Sequence, residues 1–296
     1  MVEASHHDFR TAYASVDRHQ LADFEPYVWR TRDLGLTWER ISTGLPAGVY
    51  VHTVKEDPVR AGLLFAGTER GAFVSWDAGD HWQPLQLDLP PTSVRDFAIH
   101  DGDLIVATHG RGVWVIDDIS PLRQVSDAVL AADAYLFKPA DAINVMQGGD
   151  DGTPLQKDEP QAPNPPSGAV IDYYLKSAAS GPVTLEILDA TGAVLRTYSS
   201  APAPEAPGAR GGPGGSGGIP RVSPLWQSTP EAFSAAAGVH RVVWRPVPPS
   251  AAGGGGGFRR GPVRLLTGTF TAKLTVNGQS YTQPFTVRPD PRSGTR

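Results

Sequence analysis

Cysteine is absent from this 296-residue chain and methionine occurs twice. Without cysteine there is no disulfide framework, no thiolate nucleophile and no cysteine-based metal site. No run of 18 apolar residues occurs, which excludes a transmembrane helix from the sequence as read. The opening residues, Met1-Val2-Glu3-Ala4-Ser5-His6-His7-Asp8, lack the apolar core of a signal peptide. The expectation is a soluble chain that carries no address of its own. Basic excess is missing too: 26 Lys and Arg face 31 Asp and Glu, a net of -5. No basic cluster is interleaved with aromatics, so nucleic acid is not expected as a partner. A Gly-x-Ser-x-Gly nucleophile elbow is missing from any strand-to-helix context. The letters recur only at Gly214-Gly215-Ser216-Gly217-Gly218, inside a glycine tract.

What the chain has in quantity is glycine (33) and proline (28), and both are concentrated. Gly148 to Pro166 contains five prolines and few apolar residues, and reads as an extended linker. Ala201 to Pro220 and Ala251 to Pro262 are richer still, with five glycines from Gly253 to Gly257. They are expected to loop out as disordered insertions in a C-terminal domain. Hydrophobic residues make up 40% of the sequence, enough for real cores. The resulting partition is 1–124, a connector and linker over 125–166, and a second domain over 167–290 with insertions near 201–222 and 250–262.

The first third repeats itself. Thr31-Arg32-Asp33-Leu34-Gly35-Leu36-Thr37-Trp38 and Ser75-Trp76-Asp77-Ala78-Gly79-Asp80-His81-Trp82 are 44 residues apart. A hydroxyl residue, then Asp, Gly and Trp, predicts a hairpin turn: Asp accepts backbone NH groups, Gly takes a positive φ, and Trp packs beneath. A spacing near 44 is the length of one four-stranded propeller blade. Strands are predicted at Thr11–Val16, Tyr27–Thr31 and Thr37–Ser42, then Val49–Val54, Leu63–Gly67, Ala72–Ser75 and His81–Leu85, with Asp57-Pro58 as a break. Aligning Ala66 through Asp77 with Ala107 through Asp118 at an offset of 41 adds a third series, Val94–Ile99, Leu104–Thr108 and Val113–Ile116. Its turn lacks the Gly and Trp, since Asp118 is followed by Ile119-Ser120-Pro121. That decay marks the end of the repeat. Three blades fall short of the four to eight that propellers usually have, so further blades from upstream sequence or from another chain are expected to complete the ring.

Beyond the linker, Val183, Leu185 and Ile187 alternate with polar residues before the turn Asp189-Ala190-Thr191-Gly192 and Val194–Tyr198. Val239–Arg245 alternates again, and Thr269–Val276 pairs with Tyr281–Val287 across Asn277-Gly278, a type I′ hairpin signal. With Ile171–Leu175 this makes six or seven strands, enough for an immunoglobulin- or fibronectin-like sandwich. The fold class is therefore all-β, a partial propeller followed by a sandwich. Trp226 and Trp244 are read as core residues rather than a sugar-binding surface.

The two turns resemble the Asp-box, or BNR repeat, of sialidases, sortilin-type receptors and bacterial propeller glycosidases. The text around Thr11–Arg18, Arg30–Asp33 and Ala107–Asp118 is similar to the end of large bacterial BNR proteins labelled glycosyl hydrolase or sortilin-like. Ile171–Leu175 and Val287–Arg292 look like that family's terminal β domain. The resemblance implies a longer protein at the N-terminal side, and export to the periplasm or medium for that protein. It also implies three functional readings. The first is a recognition or scaffold segment for a protein or glycan. The others are the C-terminal part of a sialidase-like or glucan-cleaving hydrolase, whose catalytic residues lie upstream, and a sortilin-like peptide-binding propeller. Sialidase chemistry needs an arginine cluster, a Tyr with its Glu, and an Asp acid, and these residues do not supply that set legibly.

Candidate chemistry starts with Asp33 and Asp77, which could pass for a glycosidase pair. Their equivalent places in successive turns favour a structural task instead, shared with Thr31, Gly35, Trp38, Ser75, Gly79 and Trp82. Arg111, flanked by Gly110 and Gly112, sits in a short connection where sites concentrate. The matched Arg70-Gly71 favours a repeated structural role. Asp17, Arg18 and His109 are grouped with Arg111 as residues that could face a ligand at a channel. His6-His7-Asp8, Asp57-Pro58 and Asp101-Gly102-Asp103 lack a metal-ligand set, so neither metal nor cofactor is expected.

Overall fold

The computed structural model describes residues 1–144, 168–201, 233–248 and 265–291. The expected linker over 148–166 and Trp226 lie outside the described residues, as do the glycine tracts apart from Ala201. The chain is all-β, and among the described residues its strands pair antiparallel except for one parallel pair. It divides into two compact units, Met1–Ser126 and Asp127–Arg296.

In the first unit, β1 (Val2–Ala4), β2 (Ala12–Arg18), β3 (Asp23–Thr31) and β4 (Glu39–Arg40) form a four-stranded sheet in sequence order. A second such sheet is made by β5 (Val51–Glu56), β6 (Leu64–Thr68), β7 (Gly71–Ser75) and β8 (Gln83–Pro84). The third has three strands, β9 (Val94–His100), β10 (Asp103–Thr108) and β11 (Val113–Ile116). Strand β1 was not expected, because three residues next to a polar turn carry too little alternation to register. Strands β4 and β8 are shorter than the spans Thr37–Ser42 and His81–Leu85 suggested. The turn networks on their N-terminal side hold the first residues out of the ladder.

The sheets stack face on face. Tyr13, Val28 and Ile41 of the first meet Val51, Val54, Leu64, Ala66, Phe73 and Trp82 of the second in one core. The other face of the second sheet, with Leu63, Phe65, Ala72 and Val74, meets Val94, Phe97, Leu104 and Val106 of the third in another. Strand register corrects the 41-residue alignment. Leu64 pairs with Ser75 and Leu104 with Ile116, so β6 maps to β10 at an offset of 40 and β7 to β11 at 41. The extra residue sits in the hairpin Thr108–Gly112, where Gly110 and Gly112 both take positive φ.

The sheets are tied by buried polar groups. Arg30 reaches from β3 to the Ala78 carbonyl (2.8 Å), Asp80 (2.9 Å) and Glu39 (2.8 Å). The Asp57 carboxylate, fully buried, accepts from the Val59 and Arg60 NH groups and from both Nε and Nη2 of Arg123. Asp57-Pro58 is thus a turn, as expected, and also one half of a buried ion pair that pins the 3-10 turn Leu122–Gln124.

The second unit begins with a short helix, α1 (Asp127–Ala131). Strands β12 (Ala134–Leu136), β13 (Ala142–Asn144), β14 (Ala169–Leu175), β15 (Thr184–Leu188), β16 (Val194–Ser199), β17 (Gly238–Trp244), β18 (Gly268–Val276) and β19 (Gln279–Pro289) follow. They form a three-stranded sheet, β12-β14-β17, and a five-stranded one, β13-β19-β18-β15-β16, that share one core. Trp244 is buried there edge-on to Phe270 and Phe285. Asn277 and Gly278 both take positive φ (48° and 82°), as a type I′ turn requires.

Candidate functional site

The two Asp-containing turns are built alike. In the first, Thr31 Oγ1 donates to Asp33 Oδ1 (2.8 Å) and accepts from the Gly35 NH (2.9 Å). Asp33 then accepts from the Thr37 NH (2.9 Å) and hydroxyl (2.6 Å). In the second, Ser75 donates to Asp77 (2.7 Å) and accepts from the Gly79 NH (2.9 Å), while Asp77 accepts from the His81 NH (2.9 Å) and faces its ring Nδ1 (2.7 Å). Leu34 and Ala78 share the positive φ with Gly35 and Gly79. Donation from the Thr37 hydroxyl and NH and from Thr31 holds the Asp33 carboxyl below its usual range. For Asp77, burial pushes upward but is outweighed by the NH and ring of His81 and by Ser75. Both carboxylates are spent on the turn.

The two tryptophans differ. Trp82 is 3% exposed, with its indole NH on the Ile41 carbonyl of the preceding sheet (2.7 Å). Trp38 lies against its own turn, where a Cβ on Gly35 would be 3.9 Å from its ring, and it stays 41% exposed because no described sheet precedes the first.

At the opposite end of the sheets a polar cluster gathers around His52. Strand direction brings it together: the end of β2, the start of β5, the β6–β7 hairpin and the start of β9 all lie at that end. His52 Nε2 faces Glu69 Oε2 at 2.9 Å and Ser93 Oγ at 3.2 Å. Its Nδ1 faces Asp17 Oδ2 and Arg95 Nη1, both at 3.4 Å. The protonated ring donates to Glu69 on one side and lies within ion-pair distance of Asp17 on the other. A neutral ring with its hydrogen on Nε2 donates to Glu69 and accepts from Arg95. Asp17 also takes the His19 NH (3.0 Å) and ring Nδ1 (2.6 Å). His19 stacks on Tyr50 with centroids 4.7 Å apart, and Tyr50 meets His52 edge-on and Phe24 at a tilt.

Of the residues singled out from the sequence, Asp17 is in this cluster. His109 borders it through the backbone, its NH donating to the Ser93 carbonyl (2.8 Å). Arg18 turns aside to Asp23 (3.2 Å) and lies over the Tyr27 ring. Arg111 is exposed in the longer hairpin, its carbonyl accepting from the Trp114 indole (2.9 Å). His6-His7-Asp8 is the β1–β2 turn, with the His6 NH on Glu56 (2.8 Å) and the His7 ring at the Asp57 carbonyl (2.9 Å). His52, Glu69, Ser93, Arg95 and Tyr50 were missed because they are isolated polar letters scattered over the start of β5, the β6–β7 hairpin and the start of β9. Only the repeat register, which stacks Glu69 and His109 as corresponding hairpin residues, signals their proximity.

The geometry limits the chemistry. Ser93, His52 and Asp17 follow the order of a Ser-His-Asp triad, yet Glu69 lies closer than Ser93 to the nitrogen that would take the serine proton, and Ser93 is buried. Burial pushes the Asp17 and Glu69 carboxyls up, but hydrogen bonds, from His19 to Asp17 and from His52, Ser93 and Tyr50 to Glu69, hold both below their usual ranges. A glycosidase acid must keep its proton near neutrality, and neither carboxyl does. Burial and Glu69 push the Tyr50 phenol up, the wrong direction for a nucleophile. Among the described residues no group of three or more His, Asp or Glu side chains is arranged to hold a metal ion. Nor, among the described residues, is any helix long and apolar enough to cross a membrane. No protein-family model matches the chain, and no curated protein matches it.

Proposed function

We propose that the chain is a segment of an Asp-box propeller followed by a β-sandwich, and that it works as a recognition module for a glycan or protein rather than as the catalytic part of an enzyme. The propeller reading is supported by three sheets stacked in sequence order with like turns at one end. The sandwich reading is supported by two sheets around one core. The functional reading is carried by the His52 cluster, in which successive sheets bring ionised Asp17 and Glu69, Arg95 and the stacked Tyr50–His19 pair to one end. Fixed acceptors beside aromatic faces suit sugar hydroxyls or a cationic peptide side chain, and neither carboxyl keeps a proton to give to a glycosidic oxygen.

The experiment is calorimetric titration of the chain with neutral and sialylated oligosaccharides and with a Lys- and Arg-containing peptide, alongside Asp17→Asn and Glu69→Gln. The expected result is binding in one class, weakened about tenfold or more in both variants. Turnover of a sialoside or β-glucan that is lost in Glu69→Gln would overturn the non-catalytic reading.

A further inference from the structure

Each sheet of the first unit has two faces, and register identifies corresponding residues on them. On the face turned toward the preceding sheet, Trp29, Phe73 and Trp114 correspond, as do Ala12, Leu64 and Leu104, and Ala14, Ala66 and Val106. On the face turned toward the following sheet, the sets are Val28, Ala72 and Val113; Arg30, Val74 and Val115; and Tyr13, Phe65 and Ile105. Inside the chain the following-face of one sheet packs twice on the preceding-face of the next, in the same way. Tyr13 shares a core with Val54, and the corresponding Phe65 meets Phe97 with ring centroids 6.1 Å apart.

Two such faces are left over. The third sheet bares its following-face: Val113 is 67% exposed and Val115 51%, where Ala72 and Val74 are each 2% exposed. The first sheet bares its preceding-face, with Val2, Val16 and the turn residue Trp38 exposed and Trp29 half-buried. Because Val2 pairs with Ala14 as Phe97 pairs with Val106, Val2 corresponds to Phe97. The third packing in the series would therefore set Ile105 against Val2.

We propose that the occupant of these faces is a second copy of this chain, docked head to tail so that the third sheet of each copy covers the first sheet of the other. The chain carries both halves of a contact that it already makes twice internally, which is continuity with an existing interface and commits each face to the other. A contact of this kind closes into a ring or runs on as a filament. Two copies give six sheets, within the four to eight of known propellers, whereas three copies give nine. Closure at two rests on the propeller reading above. The head-to-tail contact rests on the exposed faces alone.

The absence of cysteine makes the test direct, since introduced thiols are the only ones present. Val2→Cys and Ile105→Cys are made as separate variants, mixed, and treated with a short bismaleimide, with masses read on a denaturing gel and by sedimentation equilibrium. The expected result is a linked species of two chains in the mixture and none in either variant alone. The double variant is expected to stop at two chains, and Val113→Glu with Val115→Glu, changed where the side chains are exposed, to shift the sedimenting mass from two chains to one. A ladder beyond two chains supports the contact and overturns closure, and with it the six-sheet ring. Linkage of Ile105→Cys to itself, or a wild-type chain that sediments as one chain at tens of micromolar, overturns the head-to-tail proposal and leaves the recognition reading to its own test.

Discussion

Single residues carry unequal weight in this molecule, and burial decides which. Arg123 and Asp57 form a bidentate pair whose carboxylate is fully buried, so removing the guanidinium strands a charge away from water. Arg123→Ala is expected to destabilise the first unit by about 3–5 kcal/mol, measured by urea unfolding. Arg288→Ala, which breaks an exposed pair with Asp141, is expected to change stability by no more than about 1 kcal/mol. Asp77 gives a pH-dependent prediction. Its carboxyl is held below the ordinary range in the folded chain, so its contribution is fully present above the unfolded value of about 3.9 and is lost as pH falls through the folded value. The stability gap between wild type and Asp77→Asn should therefore be constant from neutral pH down to about 4 and close below that. A gap that widens in acid would show that Asp77 does not draw its stabilising role from the ionised form.

At the level of elements, the turns were the legible part of the sequence and the edges were not. Thr31, Asp33 and Gly35, with Ser75, Asp77 and Gly79, announce a turn because its chemistry is local: one hydroxyl, one carboxylate and one glycine within five residues. The alternation of Val183, Leu185 and Ile187, and the Asn277-Gly278 pair, are legible for the same reason. Strands β1, β12 and β13 were not, since three residues each are held by partners up to 145 positions away, as with Ala142 on Val287. The His52 cluster is the same case, assembled only once three sheets stack. Gly44 was silent too, although its absent side chain is what lets Trp82 approach. A Cβ there would lie 2.3 Å from the Trp82 carbonyl oxygen, and φ is +96°. Gly48 has φ of +71° with open space around it. Gly44→Ala is expected to lower stability by clearly more than Gly48→Ala, whose cost is the left-handed backbone alone, about 1–2 kcal/mol. Equal costs, compared by thermal unfolding, would mean that the loop shifts away from Trp82 without penalty.

At the scale of the whole molecule, the described residues form two cores of stacked sheet within 1–126 and one shared core within the second unit, and each of these three clusters draws its residues from one unit. Cooperativity follows shared burial, so each unit is expected to melt as its own transition. Arg123→Ala addresses the first and Leu274→Ala the second, where Leu274 is fully buried between β15 and β19 and its truncation costs about 2–5 kcal/mol. Calorimetry of both single variants and the double variant should show each substitution lowering one midpoint and leaving the other in place, with the double variant showing both shifts unchanged in size. If either substitution moves both midpoints together, the units fold as one cooperative body. The His52 cluster would then be stabilised by the second unit as well as by the three sheets that build it. That outcome would make binding at the cluster sensitive to Leu274→Ala, and the oligosaccharide titration run on that variant distinguishes the two cases.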